Sequence, residues 1–191
     1  RKNNQLTANA DGQGIALANA VSPQSAGTCP VELGWYAVPG SAGEENPTQV
    51  KVGSTLEYYA KVTNPDTNDD GLSDVVVRME IDPNLTPDIN SAKYSTTASL
   101  SSTNKKPIAG SSDYSVSLDG NNVIFKANTL EWGSFVRFHI TCSPKGQEGK
   151  VSSKASIVSV GGTPYTGVES TPQWHEIYQE VSGLTLGTNA I

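Results

Sequence analysis

Two cysteines, two histidines and one methionine are all that this 191-residue chain offers in soft or imidazole ligands. They are not spaced for zinc, because no Cys-x-x-Cys or His-x-x-x-His pair occurs. No Gly-x-Ser-x-Gly elbow surrounds any of the many serines. No glycine-rich turn leads from a strand into a helix, so a phosphate cradle is missing too. Basic side chains number 13 against 19 acidic ones, for a net charge of −6. With no basic stripe, nucleic acid is excluded as a partner. No apolar run approaches the roughly 20 residues of a membrane span. The absences leave no catalytic constellation, and we expect no enzymatic activity. The acidity suits divalent cations, and it equally suits a surface that only has to stay soluble.

The chain opens at Arg1 and its one methionine is Met79. We read this as a leader removed before Arg1, a cloned fragment being the alternative. Cys29 and Cys142 are read as an extracellular disulfide, with two buried free thiols as the alternative. In the loop-entropy model, closing so long a loop contributes about 4–5 kcal/mol.

What is present is alternation. In residues 52–83, Leu56, Tyr58, Ala60 and Val62 share one face, and Val75, Val77, Met79 and Ile81 share another. A period of two marks half-buried strands. Between them lies an Asp/Asn/Gly-rich loop. Residues 31–38 and 151–160 read as further strands. So do residues 134–142, with Val136, Phe138, Ile140 and Cys142 inward and Arg137 and His139 outward. Residues 114–118 and 122–126 form a hairpin signal around Asp119-Gly120-Asn121. The Ser/Thr-rich stretch 86–112 reads as a loop with short edge strands. Seven or more strands without a convincing helix predict an all-β protein, an antiparallel β-sandwich of immunoglobulin or jelly-roll type.

Residues 1–28 differ from the rest: they hold no aromatic residue and few charges. Ile15, Leu17, Asn19 and Val21 fall in one row of an extended segment, with Ala16, Ala18 and Ala20 opposite. A helix there would have barely two turns. We therefore divide the chain into an N-terminal extension (1–28), a sandwich (29–172) and a C-terminal strand and tail (173–191), with another candidate strand at 181–186.

The order of features over residues 50–172 resembles the conserved repeat domain of bacterial and archaeal surface proteins. It runs from Gly53 to Val62-Thr63-Asn64, then to Ile81-Asp82-Pro83-Asn84-Leu85. Asn122-Val-Ile-Phe, Leu130-Glu-Trp-Gly133 and the Ser/Ala-rich strand at 151–160 follow. The resemblance implies an immunoglobulin-like sandwich on a cell surface and no enzymatic activity. The central loop resembles the aspartate-rich calcium repeat of thrombospondin type 3. Asp66, Asn68, Asp70 and Asp74 would offer side-chain oxygens, the Leu72 carbonyl another, and Gly71 the sharp bend. An EF-hand is excluded, since the twelfth position from Asp66 is Val77. The alternative is a plain turn whose Asn and Asp side chains cap their own backbone. Charge repulsion among the carboxylates favours the cation.

Asn84-Leu85-Thr86 is the one glycosylation sequon. Trp35, Trp132 and Trp174 could build a sugar platform, or fill core and interface. Lys61 and Lys126 are candidates for an intramolecular Lys–Asn cross-link of the kind found in some surface sandwiches. The features together point to a secreted, cell-surface subunit that partners with copies of itself, polymerising into a filament, tube or layer. Its donor strand is Ile15, Leu17, Asn19 and Val21, or alternatively the C-terminal segment, and calcium stiffens the subunit. This is similar in architecture to the donor-strand pili and threads of archaea and to the bacterial biofilm-fibre family. The alternatives are a calcium-dependent module binding surface glycans or cells, and a spacer domain of a larger adhesin.

Overall fold

The structure, a computed structural model, describes residues 27–65, 70–98 and 104–181. Ile15, Leu17, Asn19 and Val21 lie outside these, as does the candidate strand at 181–186 apart from Val181. Twelve strands follow one another: β1 (Glu32–Val38), β2 (Thr48–Lys51), β3 (Leu56–Thr63), β4 (Leu72–Glu80), β5 (Leu85–Ser95), β6 (Lys106–Pro107), β7 (Tyr114–Asp119), β8 (Asn122–Leu130), β9 (Phe135–Pro144), β10 (Gly149–Val160), β11 (Thr163–Pro164) and β12 (Gln173–Tyr178). One sheet has the order β1-β3-β9-β5-β6 and the other β2-β12-β10-β4-β8-β7, with β11 folded back on β10. All pairings are antiparallel except β2 on β12. The result is the all-β immunoglobulin-like sandwich that the alternation predicts.

The period of two explains the layering. Leu56, Tyr58, Ala60 and Val62 of β3 and Val136, Phe138, Ile140 and Cys142 of β9 point inward from one sheet. Val75, Val77 and Met79 of β4 and Val123, Phe125 and Ala127 of β8 meet them from the other. Phe125 and Phe138 stack across the gap with centroids 4.7 Å apart. The β7–β8 hairpin turns through two residues, with Gly120 at φ 62° as a type II′ turn requires. Both sheets are continuous across the described strands, so an added strand must join at an edge.

β3 runs from Leu56, paired with Cys142, to Thr63, paired with Glu32 and Phe135. We call its Leu56 end the upper pole and its Thr63 end the lower pole. The chain enters the sandwich at the lower pole, where β1 begins. It leaves at the upper pole, where the Tyr178 carbonyl accepts the Val52 N–H at 2.8 Å.

Four expectations change. First, β3 and β4, read as the strands on either side of the acidic loop or turn, do not pair with each other. They sit in opposite sheets, so the acidic loop crosses the lower pole from one layer to the other. Second, the Ser/Thr-rich stretch 86–112 contains the long strand β5, paired with β9. Its inner row is Leu85, Pro87 and, beyond an irregularity between Asp88 and Lys93, Tyr94, which pairs with the inward Phe138. So few large apolar residues hide its periodicity. Third, Arg137 and His139 do face away from the core, but other side chains bury them. Fourth, Cys29 and Cys142 are both free thiols. Cys142 pairs with Leu56 at the upper pole, while Cys29 precedes β1 at the lower. The length of β3 between them is roughly 23 Å at about 3.3 Å per residue, against the roughly 7 Å between Cα atoms that a disulfide spans. Burial pushes the Cys142 thiol up to about 12.

Candidate functional site

The lower pole is organised by Asn64, a fully buried residue at the end of β3. Its N–H donates to the Ser134 carbonyl at 2.9 Å. Its carboxamide donates to the carbonyls of Leu130 at 3.0 Å and Asp70 at 3.2 Å. One side chain therefore ties the end of β3, the far side of the acidic loop and the end of β8. Of the expected calcium ligands, Asp66 and Asn68 lie outside the described residues. Asp70 is exposed. Leu72 begins β4 opposite Leu130. Asp74 adopts φ 49°, a left-handed conformation that Asp tolerates better than most residues. Its carboxylate lies 3.8 Å from the Lys126 ammonium. The Gly161 N–H bonds the carbonyls of Ser73 and Asp74 and braces this kink against the end of β10. Among the described residues no group of three or more His, Cys, Asp or Glu is gathered so as to hold a metal. Asp70 and Asp74 are thus only part of the six to eight oxygens that calcium takes.

The upper pole has its own bracket. Asn121, in the β7–β8 turn, donates to the carbonyls of Ile81, Asp82 and Leu85 at 3.2, 2.8 and 2.9 Å. The Asp82 carboxylate accepts the N–H groups of Asn84 at 2.8 Å and Ser152 at 3.0 Å. Asn84 itself is half-buried in the turn that enters β5. The three tryptophans share no surface. Trp35 packs between the sheets on Tyr58, Trp174 alternates with the buried His175 and so faces outward on β12, and Trp132 is exposed in the β8–β9 turn. Of the two candidate cross-link lysines, Lys61 lies over the Phe135 ring and Lys126 against Asp74.

On the outer face of the β1-β3-β9-β5 layer sits a cluster that the strand pattern does not reveal. Tyr59 donates to Glu57 Oε1 at 2.8 Å, and Lys105 donates to the Tyr59 hydroxyl at 2.7 Å. His139 Nε2 lies 3.0 Å from the same Glu57 oxygen. Arg137 donates to the Thr97 carbonyl at 2.9 Å. Tyr36 stacks on Tyr59 at 4.8 Å. Burial works against the Glu57 carboxylate, but the bonds from Tyr59 and His139 and the charge of Lys105 prevail and hold its pKa below the usual range. Burial, helped by Lys105, lowers the pKa of His139. Nε2–H then donates to Glu57, and Nδ1 is buried without a partner. His175 is similar: burial lowers its pKa, Nε2 bonds the Pro39 carbonyl at 2.8 Å, and Nδ1 has no partner. The signal for the His139 cluster was indirect: Glu57, Tyr59 and His139 occupy outward positions of strands that become neighbours only once β3 pairs with β9.

A pH dependence follows. Both histidines have folded pKa values below their unfolded ones, so the unfolded chain binds more protons as pH falls through the unfolded histidine pKa of about 6.5. Stability is therefore full above roughly pH 7.5 and declines as pH drops toward the folded values. The midpoint of thermal unfolding should fall between pH 7.5 and 5, and His175→Gln should flatten the slope. A midpoint constant over that range would contradict neutral buried histidines.

The remaining surface features are edges. Beside β7 the two sheets part. A cleft of about 540 Å³ opens between Thr96, Asp113, Tyr114, Leu130, Glu131 and Phe135. A second of about 320 Å³ continues it past Tyr94 and Asn104.

No family model matches the chain, and no curated protein matches it in sequence. Solved structures match in fold. The major pilin subunit BcpA of Bacillus cereus aligns with TM-score 0.52 at 12% identity, over 77% of this chain and 40% of that one. The pilus backbone RrgB from Streptococcus pneumoniae aligns with TM-score 0.51 at 14% identity, over 74% of this chain and 34% of that one. The C-terminal domain of the antigen I/II polypeptide BspA of Streptococcus agalactiae gives 0.53 at 10% identity, over 76% and 49%. The chain thus spans less than half the length of the pilin and adhesin structures it matches, and at these identities the likeness is one of fold.

Proposed function

We propose that this chain is a structural subunit of an extracellular filament, tube or surface layer, assembling head to tail by donation of its N-terminal segment to the next copy. The observation that carries the reading is the placement of the chain's two exits. The N-terminal segment joins the sandwich at the lower pole and the chain leaves at the upper one. A segment leaving one pole can meet the opposite pole of a neighbour. Such a heterologous contact repeats without closing. The pilin and adhesin folds it resembles support a place on a cell surface. Calcium belongs to the proposal on the spacing of Asp66, Asn68, Asp70 and Asp74. No observation favours the glycan-binding alternative, since the tryptophans face in different directions.

Deleting residues 1–22 tests the proposal. The full chain should form fibres visible by negative-stain microscopy. The shortened chain should stay monomeric and unfold within about 1 kcal/mol of the full-length monomer, a difference typical of changes outside the core. Fibres from the shortened chain would sink the donation reading. Repeating both preparations with a chelator should lower the unfolding midpoint of each, and identical midpoints would remove calcium.

A further inference from the structure

We propose that the acceptor for the donated strand is the outer edge of β7, taken by residues 15–21 of a second copy. This rests on the donation reading above and adds where the strand goes.

Open sheet edges are normally blunted by lysine, proline, bulges or shortness. Most edges here are. β6 is the two-residue Lys106–Pro107, and β2 has four residues, follows Pro47 and ends in Lys51. The stretch of β5 that β6 leaves uncovered contains Pro87 and the irregularity after Asp88. β1 lies between Pro30 and Pro39, and its inner face is already covered, with Trp35 Nε1 donating to the Ser153 carbonyl of β10 at 3.1 Å. β7 is the exception. Its six residues, Tyr-Ser-Val-Ser-Leu-Asp, contain no lysine or proline, and its pairing with β8 is regular.

The inner row of β7 is also incompletely covered. Tyr114, Val116 and Leu118 pair with Ala127, Phe125 and Val123, each of which is fully buried. Yet Leu118 is 43% exposed, because the facing sheet ends in the two-residue β6. Two clefts open at the other end of the strand, beside Tyr114. A strand added here needs bulky side chains on the inner face, beside Val116 and Leu118. On the outer face it needs small ones beside Ser115 and Ser117. Residues 15–21 have that division: Ile15, Leu17, the polar Asn19 and Val21 on one side, Ala16, Ala18 and Ala20 on the other.

The path is consistent. β7 runs from the lower pole to the upper, ending at Asp119 beside Asn122. In a head-to-tail stack the neighbour's chain leaves its own lower pole, next to this upper pole. Its residues 22–26 span about 17 Å when extended, at about 3.4 Å each. Residue 21 then lies near Leu118 and residue 15 lower down, so the donated strand is parallel to β7.

The test uses the full chain. Leu118→Lys places a charge on an already exposed site, so the monomer should melt as the wild type does while the concentration needed for fibres rises at least tenfold. Val21→Cys combined with Leu118→Cys should give, on oxidation, a ladder of cross-linked multimers that neither single variant gives. If Leu118→Lys assembles normally while Leu17→Lys does not, donation stands and β7 is the wrong edge. If both assemble, donation itself fails. Should Leu118→Lys unfold, the ladder decides: its absence overturns the β7 assignment. A ladder from Leu184→Cys with Leu118→Cys, and none from Val21→Cys, would assign the edge to the C-terminal segment and also overturn the proposal.

Discussion

Phe138→Ala should destabilise the protein by about 3–5 kcal/mol, the range for removing a buried aromatic side chain. Phe138 is fully buried in β9 and is where the two layers meet most directly. It stacks on Phe125 of β8, nearly parallel at 16°, and takes the edge of Tyr114 of β7 at 6.0 Å. Its removal loses transfer free energy and opens a void between two sheets whose backbones are fixed by their own ladders. Little collapse can refill it. Against a typical total stability of about 5–15 kcal/mol, much of the folded population is at risk. Urea unfolding monitored by circular dichroism reads the change, and a loss under 1 kcal/mol would mean that the layers are not held together here. Phe138→Leu, which fills most of the volume, should recover about half.

Asn64→Ala should cost about 2–3 kcal/mol, more than Asn121→Ala, although Asn121 donates to three carbonyls. The difference lies in what is left behind. Asn64 is fully buried, so losing its carboxamide strands the Leu130 carbonyl in a dry site, at about 1–3 kcal/mol for an unsatisfied buried group. Asn121 is half-buried, and water can replace it at Ile81, Asp82 and Leu85, so about 1 kcal/mol is expected there. Asn64→Asp should be at least as harmful as Asn64→Ala, because a carboxylate cannot donate to either carbonyl. Equal losses at Asn64 and Asn121 in parallel urea titrations would refute the burial argument.

The strands of the core could be read from the chain because their signal is local. Alternation at Leu56, Tyr58, Ala60 and Val62 needs no knowledge of a partner, and the Gly120 turn fixes its hairpin from two residues. What could not be read depends on which strand meets which. β3 and β4 adjoin in sequence, yet the crossing at Asn64 sends them to different layers, and no periodicity records that choice. β5 was hidden because Pro87 does on its inner side what valine does elsewhere, and because the irregularity after Asp88 breaks its alternation. His139 looked solvent-facing on its own strand and became buried only when Glu57, Tyr59 and Lys105 arrived from other segments. For the loop, alternate Asp and Asn residues suggest a cation, and the approach of Lys126 to Asp74 could not be read there because it is set by the pairing of β4 with β8.

The chain's entry at one pole and exit at the other also has a mechanical side. Tension applied between those exits runs along the strands, at right angles to the inter-strand hydrogen bonds. β12, the last described strand before the upper exit, is gripped on both sides, parallel by β2 and antiparallel by β10. Pulling it slides it past both neighbours and loads every bond of the two ladders at once, where peeling would break them one at a time. A subunit built this way resists stretching along the axis on which its copies would be strung.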